Sequence, residues 1–109
     1  MTEARCDCGA VVLEVTDDPA EINDCQCSWC QRLGAFWAYY PRDQVRILSR
    51  PDATSVYQRA ARRLEFYRCK FCGLTTHWVN VDPNQEKMGV NARLMPVEVR
   101  SSARLFRGM

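Results

Sequence analysis

No stretch of this sequence approaches the roughly 18 consecutive apolar residues that a membrane-spanning helix needs, so no membrane partner is expected. The opening Met1–Arg5 has no apolar core of the secretory kind, and a cytoplasmic location is the expectation. Internal repeats, low-complexity tracts and linkers are missing, so residues 1–109 are expected to fold as a single zinc-binding domain. An excess of one charge is missing too: 15 Lys and Arg face 13 Asp and Glu, a net charge of +2 with thiols neutral. Metal-bound cysteines are thiolates, which brings a loaded protein close to neutrality and argues against a nucleic-acid partner. Histidine occurs once, at His77, and no general base is obvious.

Helical periodicity is scarce. Gln58–Glu65 carries it, and Ser28–Leu33 can make a single turn, but neither is long enough to persist without packing. Short alternating, β-branched and aromatic runs dominate instead. They predict strands at Ala10–Val15, Ala20–Asp24, Phe36–Tyr40, Val45–Leu48, Ser55–Arg59, Leu64–Arg68, Thr75–Val81 and Met88–Ala92, with a weaker one at Val97–Val99. The breaks between them carry Pro or Asp where a turn favours them, as in Asp17-Asp18-Pro19 and Asp82-Pro83-Asn84. The fold class expected is mainly β.

Cysteine is what the sequence has in quantity: seven residues in three groups. An odd number cannot be used up in disulfides, and closely spaced cysteines in a reducing compartment more often bind metal. Cys6-Asp-Cys8-Gly9 and Cys69-Lys-Phe-Cys72-Gly73 each end in a glycine that lets the loop turn back on a metal. Four thiolates from these pairs form a closed structural zinc site, which would clip the start of the chain to its middle. The bland alternatives are free cysteines or a redox-active Cys-x-x-Cys. The redox motif normally opens a helix, whereas here the pair follows a strand-like run.

The central group, Cys25-Gln-Cys27-Ser-Trp-Cys30, offers three thiolates and no obvious fourth. Three protein ligands with one open position is the layout of a catalytic zinc, and a thiol entering there would be deprotonated and nucleophilic. His77 can instead close the site, or be an ordinary half-buried strand residue beside Trp78. The trio can also be read as a redox sensor.

Taken in order, Cys-x-Cys-Gly, Cys-x-Cys-x-x-Cys followed by Leu33-Gly34-Ala35, Cys-x-x-Cys-Gly and Gly89-Val90-Asn91-Ala92-Arg93 resemble the glutathione-dependent formaldehyde-activating enzyme family, which shares its domain with centromere protein V. The resemblance implies a β-tent fold, with Cys6, Cys8, Cys69 and Cys72 on a structural zinc and Cys25, Cys27 and Cys30 on a second. It implies carbon–sulfur lyase chemistry on adducts of glutathione, or another small thiol, with an aldehyde. A residue that is commonly arginine in the family is Gln31 here, with Arg32 next. The rival expectation is a non-catalytic zinc scaffold or interaction module of the same fold.

Among the other residues, Trp29, inside the metal loop, and Arg32 and Arg93 are the candidates for contacting a thiol substrate, the arginines through its carboxylates. Phe36, Trp37, Tyr39 and Tyr40 are expected mainly in the core. Arg59, Arg62, Arg63, Arg68 and Lys70 are expected to form a solvated face.

Overall fold

In the computed structural model, which describes residues 1–108, ten short strands make two sheets that lean together as a β-tent. In the smaller sheet the order is β1 (Thr2–Arg5), β2 (Val11–Val15), β5 (Val45–Ser49), antiparallel throughout. The larger has the order β10 (Arg104–Phe106), β3 (Glu21–Asn23), β4 (Trp37–Pro41), β9 (Lys87–Asn91), β8 (Thr75–Asn80), β7 (Leu64–Cys69), β6 (Thr54–Gln58). Its pairs are antiparallel except the parallel join of β10 to β3. Two helices of six residues complete the fold, α1 (Ser28–Leu33) and α2 (Val97–Ser102). None of the described helices is long and apolar enough to cross a membrane.

Strand alternation gives the larger sheet two different faces. Ala38, Tyr40, Met88, Val90 and Val79 turn towards the smaller sheet and pack with Val11, Leu13 and Val15 in the main core. Trp37, Tyr39, Leu64, Phe66 and Trp78 turn the other way, into a second, aromatic cluster with Cys25, Cys30 and Ala35. The aromatic run 36–40 is therefore split between the two sides of one sheet.

Eight expected strands form, with ends shifted by a residue or two. Two expectations fail. Gln58–Glu65 is no helix: Gln58 and Glu65 are the last pair of the β6–β7 hairpin, and Arg59–Arg63 is its turn. Arg62 takes the left-handed conformation there at φ 51°, and the Arg62 N–H donates to the Arg59 carbonyl. Val97–Val99 lies in α2, not in a strand, because Pro96 starts the helix and its carbonyl accepts from Val99 and Arg100. β1 and β10 were not expected, being short and charged.

Candidate metal centres and cavity

β1 belongs to the small sheet and β7 to the large one, and each ends in a cysteine turn. After β1, Gly9 takes φ 79° and its N–H donates to the Cys6 carbonyl. After β7, Gly73 takes φ 83° and its N–H donates to the Cys69 carbonyl. Both glycines occupy the left-handed region the turns require. The turns meet, and the sulfurs of Cys6, Cys8, Cys69 and Cys72 all lie within 4.8 Å of one another. Cys6 and Cys8 Sγ are 3.8 Å apart, and Cys8 and Cys69 Sγ 3.5 Å. Sulfurs about 2.3 Å from a tetrahedral ion stand roughly 3.8 Å from each other, so the quartet fits such an ion. The Val11 N–H donates to Cys6 Sγ at 3.3 Å. Burial works against ionising Cys72, yet N–H groups of Leu74 and Cys8 and the neighbouring thiols hold it down, to about 6.

Cys25, Cys27 and Cys30 meet on the opposite face of the large sheet, again within 4.8 Å of one another. Cys27 is the N-cap of α1, and its sulfur accepts from the Cys30 N–H at 3.3 Å. Gly34 ends the helix at φ 74°, its N–H donating to the Cys30 carbonyl. Burial opposes ionisation of Cys27, but that N–H and the neighbouring thiols bring it down to about 7. Burial pushes Cys30 up to about 12, against the bond its sulfur accepts from Trp37 Nε1 at 3.3 Å. Arg59 reaches across from the β6–β7 turn, donating to Cys27 Sγ at 3.6 Å and to Ser28 Oγ at 3.2 Å. The donor set fits a metal: three convergent sulfurs, two of them hydrogen-bonded from outside.

The segment carrying these cysteines is held by the C-terminal residues. Asp24 N–H donates to the Phe106 carbonyl and Gln26 N–H to that of Gly108. Gly108 N–H donates to Asn23 Oδ1, while Asn23 Nδ2 donates to the Tyr39 hydroxyl at 2.7 Å.

Above the trio opens a cavity of about 680 Å³. Trp37, Tyr39, Phe66 and Trp78 form its aromatic wall, and Arg59, Arg62, Arg63 and Lys87 stand around it. Among the described residues no Asp or Glu lines it. These residues share one side of the sheet through the period-two rule, although the chain brings them from β4, β7, β8, β9 and a turn.

The sequence candidates fall in several places. Both cysteine sets assemble as expected. Trp29 packs beside the cavity, stacked on Tyr57 at 4.7 Å and tilted against Phe66, and lines a smaller neighbouring cleft. Arg32 donates to the Ser28 carbonyl within its own helix, and Arg93 donates to the Gly34 carbonyl and lies over Phe36. Neither guanidinium lines the cavity. His77 belongs to neither cysteine set: it is 2% exposed, stacked on Tyr67, and its Nδ1 meets Thr76 Oγ1 at 2.7 Å. Arg62 and Arg63 are exposed, as expected of a solvated face, and Arg59 is half-buried; all three also stand at the cavity. The signal that can place them is the hairpin, since a turn joining two strands with aromatic residues on one face overhangs that face.

A crystal structure of a Rhodobacter sphaeroides protein is similar, with a TM-score of 0.76 and 26% identity over 95% of this chain and 99% of that one. No curated protein matches. The family model described as glutathione-dependent formaldehyde-activating enzyme matches residues 1–107, and the chain belongs to that family.

Proposed function

We propose that the protein is a carbon–sulfur lyase acting on adducts of glutathione, or another small thiol, with an aldehyde, with one zinc held by Cys6, Cys8, Cys69 and Cys72 and another by Cys25, Cys27 and Cys30. The observation that carries this reading is the second trio: three sulfurs converge at a 680 Å³ cavity with no further Cys, His, Asp or Glu joining them among the described residues. Bound there, zinc supplies the positive charge that keeps an incoming thiol ionised at neutral pH.

The chain's own groups do the rest. Trp37 and Arg59 donate to Cys30 and Cys27 and fix the sulfurs in place. The aromatic wall gives the reacting carbon an apolar side. In the forward direction the thiolate sulfur attacks the aldehyde carbon, the C=O π pair moves to oxygen, and that oxygen takes a proton. Tyr39 is placed to give it, because its oxygen accepts from Asn23 and leaves its own proton free for the cavity, and the proton that the thiol released to solvent on ionising restores the phenol. Burial, foremost, raises the Tyr39 pKa and keeps that proton on at neutral pH. The reverse sequence breaks the C–S bond and releases thiol and aldehyde.

The test is the rate of exchange between formaldehyde and glutathione, followed by NMR with the metal-loaded protein. Acceleration that disappears in Cys27→Ser supports the proposal. Exchange no faster than in protein-free buffer contradicts it and leaves a zinc scaffold.

A further inference from the structure

The cations around the cavity lack acidic partners. The ion pairs among the described residues join Arg46 to Glu14, Arg104 to Glu21 and Arg107 to Asp24, all elsewhere. Arg59 is engaged with Cys27 and Ser28, and Lys87 Nζ lies 4.1 Å over the Tyr39 ring. Arg62 and Arg63 have neither a carboxylate nor a hydrogen-bond acceptor for their guanidinium groups among the described residues.

Their placement follows from the sheet. Leu64 pairs with Asn80, and Val79 with Met88, which sets Asn80 beside Lys87 in the next strand. Arg63, immediately before Leu64, and Lys87 thus lie at the same end of the sheet with Asn80 between them. β7 and β9 are two strand spacings apart, roughly 10 Å at the backbone. Lys87 shares its face with Gly89 and with the aromatic residues of the cavity. Glu65, between Leu64 and Phe66, alternates onto the other face. Positive charge therefore stands on two sides of the cavity with no acid between.

We propose that the Arg62–Arg63 turn and Lys87 form an anion-binding rim that selects thiols carrying at least two carboxylates, one held at each side, while the sulfur reaches the three-cysteine centre. The assignment rests on the thiol reading of that centre. It moves the grip on the substrate away from Arg32 and Arg93, which serve carbonyls of their own loops. Guanidinium groups on a turn suit planar carboxylates through paired N–H bonds, and Lys87 adds a point charge. A neutral or cationic small thiol gains nothing from the rim.

The experiment is calorimetric titration of the metal-loaded full chain with glutathione, S-methylglutathione and β-mercaptoethanol, in wild type, Arg62→Gln/Arg63→Gln and Arg62→Lys/Arg63→Lys. S-methylglutathione keeps both carboxylates and has no free thiol. The rim predicts that the Gln pair weakens glutathione and S-methylglutathione by about tenfold or more, with β-mercaptoethanol within about twofold. The Lys pair, which keeps the charge but not the paired N–H bonds, restores only part of the loss, and raising the salt weakens the two peptides selectively. Equal binding of both peptides to wild type and the Gln pair overturns the rim. Failure of the thiol reading looks different: wild type then binds glutathione no better than S-methylglutathione and does not bind β-mercaptoethanol.

Discussion

A β-carbon at Gly89 would stand 2.1 Å from Trp78 Nε1, because the indole lies flat across the strand at that point. Gly89→Ala must therefore push Trp78 off the cavity wall. Overpacking of this kind costs about 1–3 kcal/mol, so a lower melting temperature and weaker ligand binding are expected together. An unchanged melt would show that the ring is not pinned there. His77 carries a second prediction. Burial lowers its pKa to about 4 against 6.5 for the free side chain, so the unfolded chain takes the proton first as pH falls. Its contribution is whole above pH 6.5 and is lost towards pH 4, on the order of 3 kcal/mol. His77→Phe should flatten that part of the stability-against-pH curve; an identical slope in the variant contradicts the assignment. Tyr39→Phe should slow thiol–aldehyde exchange by about a hundredfold with metal content unchanged, as loss of a proton donor does. The cysteines were legible residue by residue because local spacing sets which sulfurs can share an ion. The arginines were not, since Arg32 and Arg93 sit near the central motif in sequence or family pattern while Arg62 and Arg63 reach it only through the hairpin.

At the scale of elements, alternation was enough to find eight of the ten strands among the described residues. It failed at 58–65, where a run rich in Ala and Arg has helical period, yet cross-strand pairing of Gln58 with Glu65 decides the conformation. It failed at 97–99, where β-branched residues follow Pro96 into a helix. β10 is short, opens on an arginine and showed no alternation, yet it and the residues after it fasten the central cysteine loop, through Asp24 to Phe106 and Gln26 to Gly108. Removing residues 104–109 should therefore release the Cys25–Cys30 loop while sparing the four-cysteine turns, which lie on the other side of the large sheet. Metal analysis should show loss at the second centre alone. Full metal retention in the truncated chain would mean that the loop holds its shape without β10.

For the whole molecule, the two cysteine sets are placed differently. Cys6 and Cys8 follow a strand of the small sheet, and Cys69 and Cys72 one of the large sheet, so a metal there joins the two halves of the tent. Domains of this size are stable by only about 5–15 kcal/mol, and structural zinc contributes on that scale. Cys25, Cys27 and Cys30 come from one short segment, and a metal there links no distant parts of the chain. A chelator that strips both centres should unfold the protein, whereas losing the second metal should leave the far-ultraviolet circular dichroism unchanged.

The most direct measurement is metal content per chain in protein purified without added zinc, beside Cys27→Ser. The account predicts two zinc ions in the wild type and one in a variant that remains folded. One ion in both proteins would contradict it, because the three-cysteine centre would then hold no metal and the cavity above it could not activate a thiol in the way described.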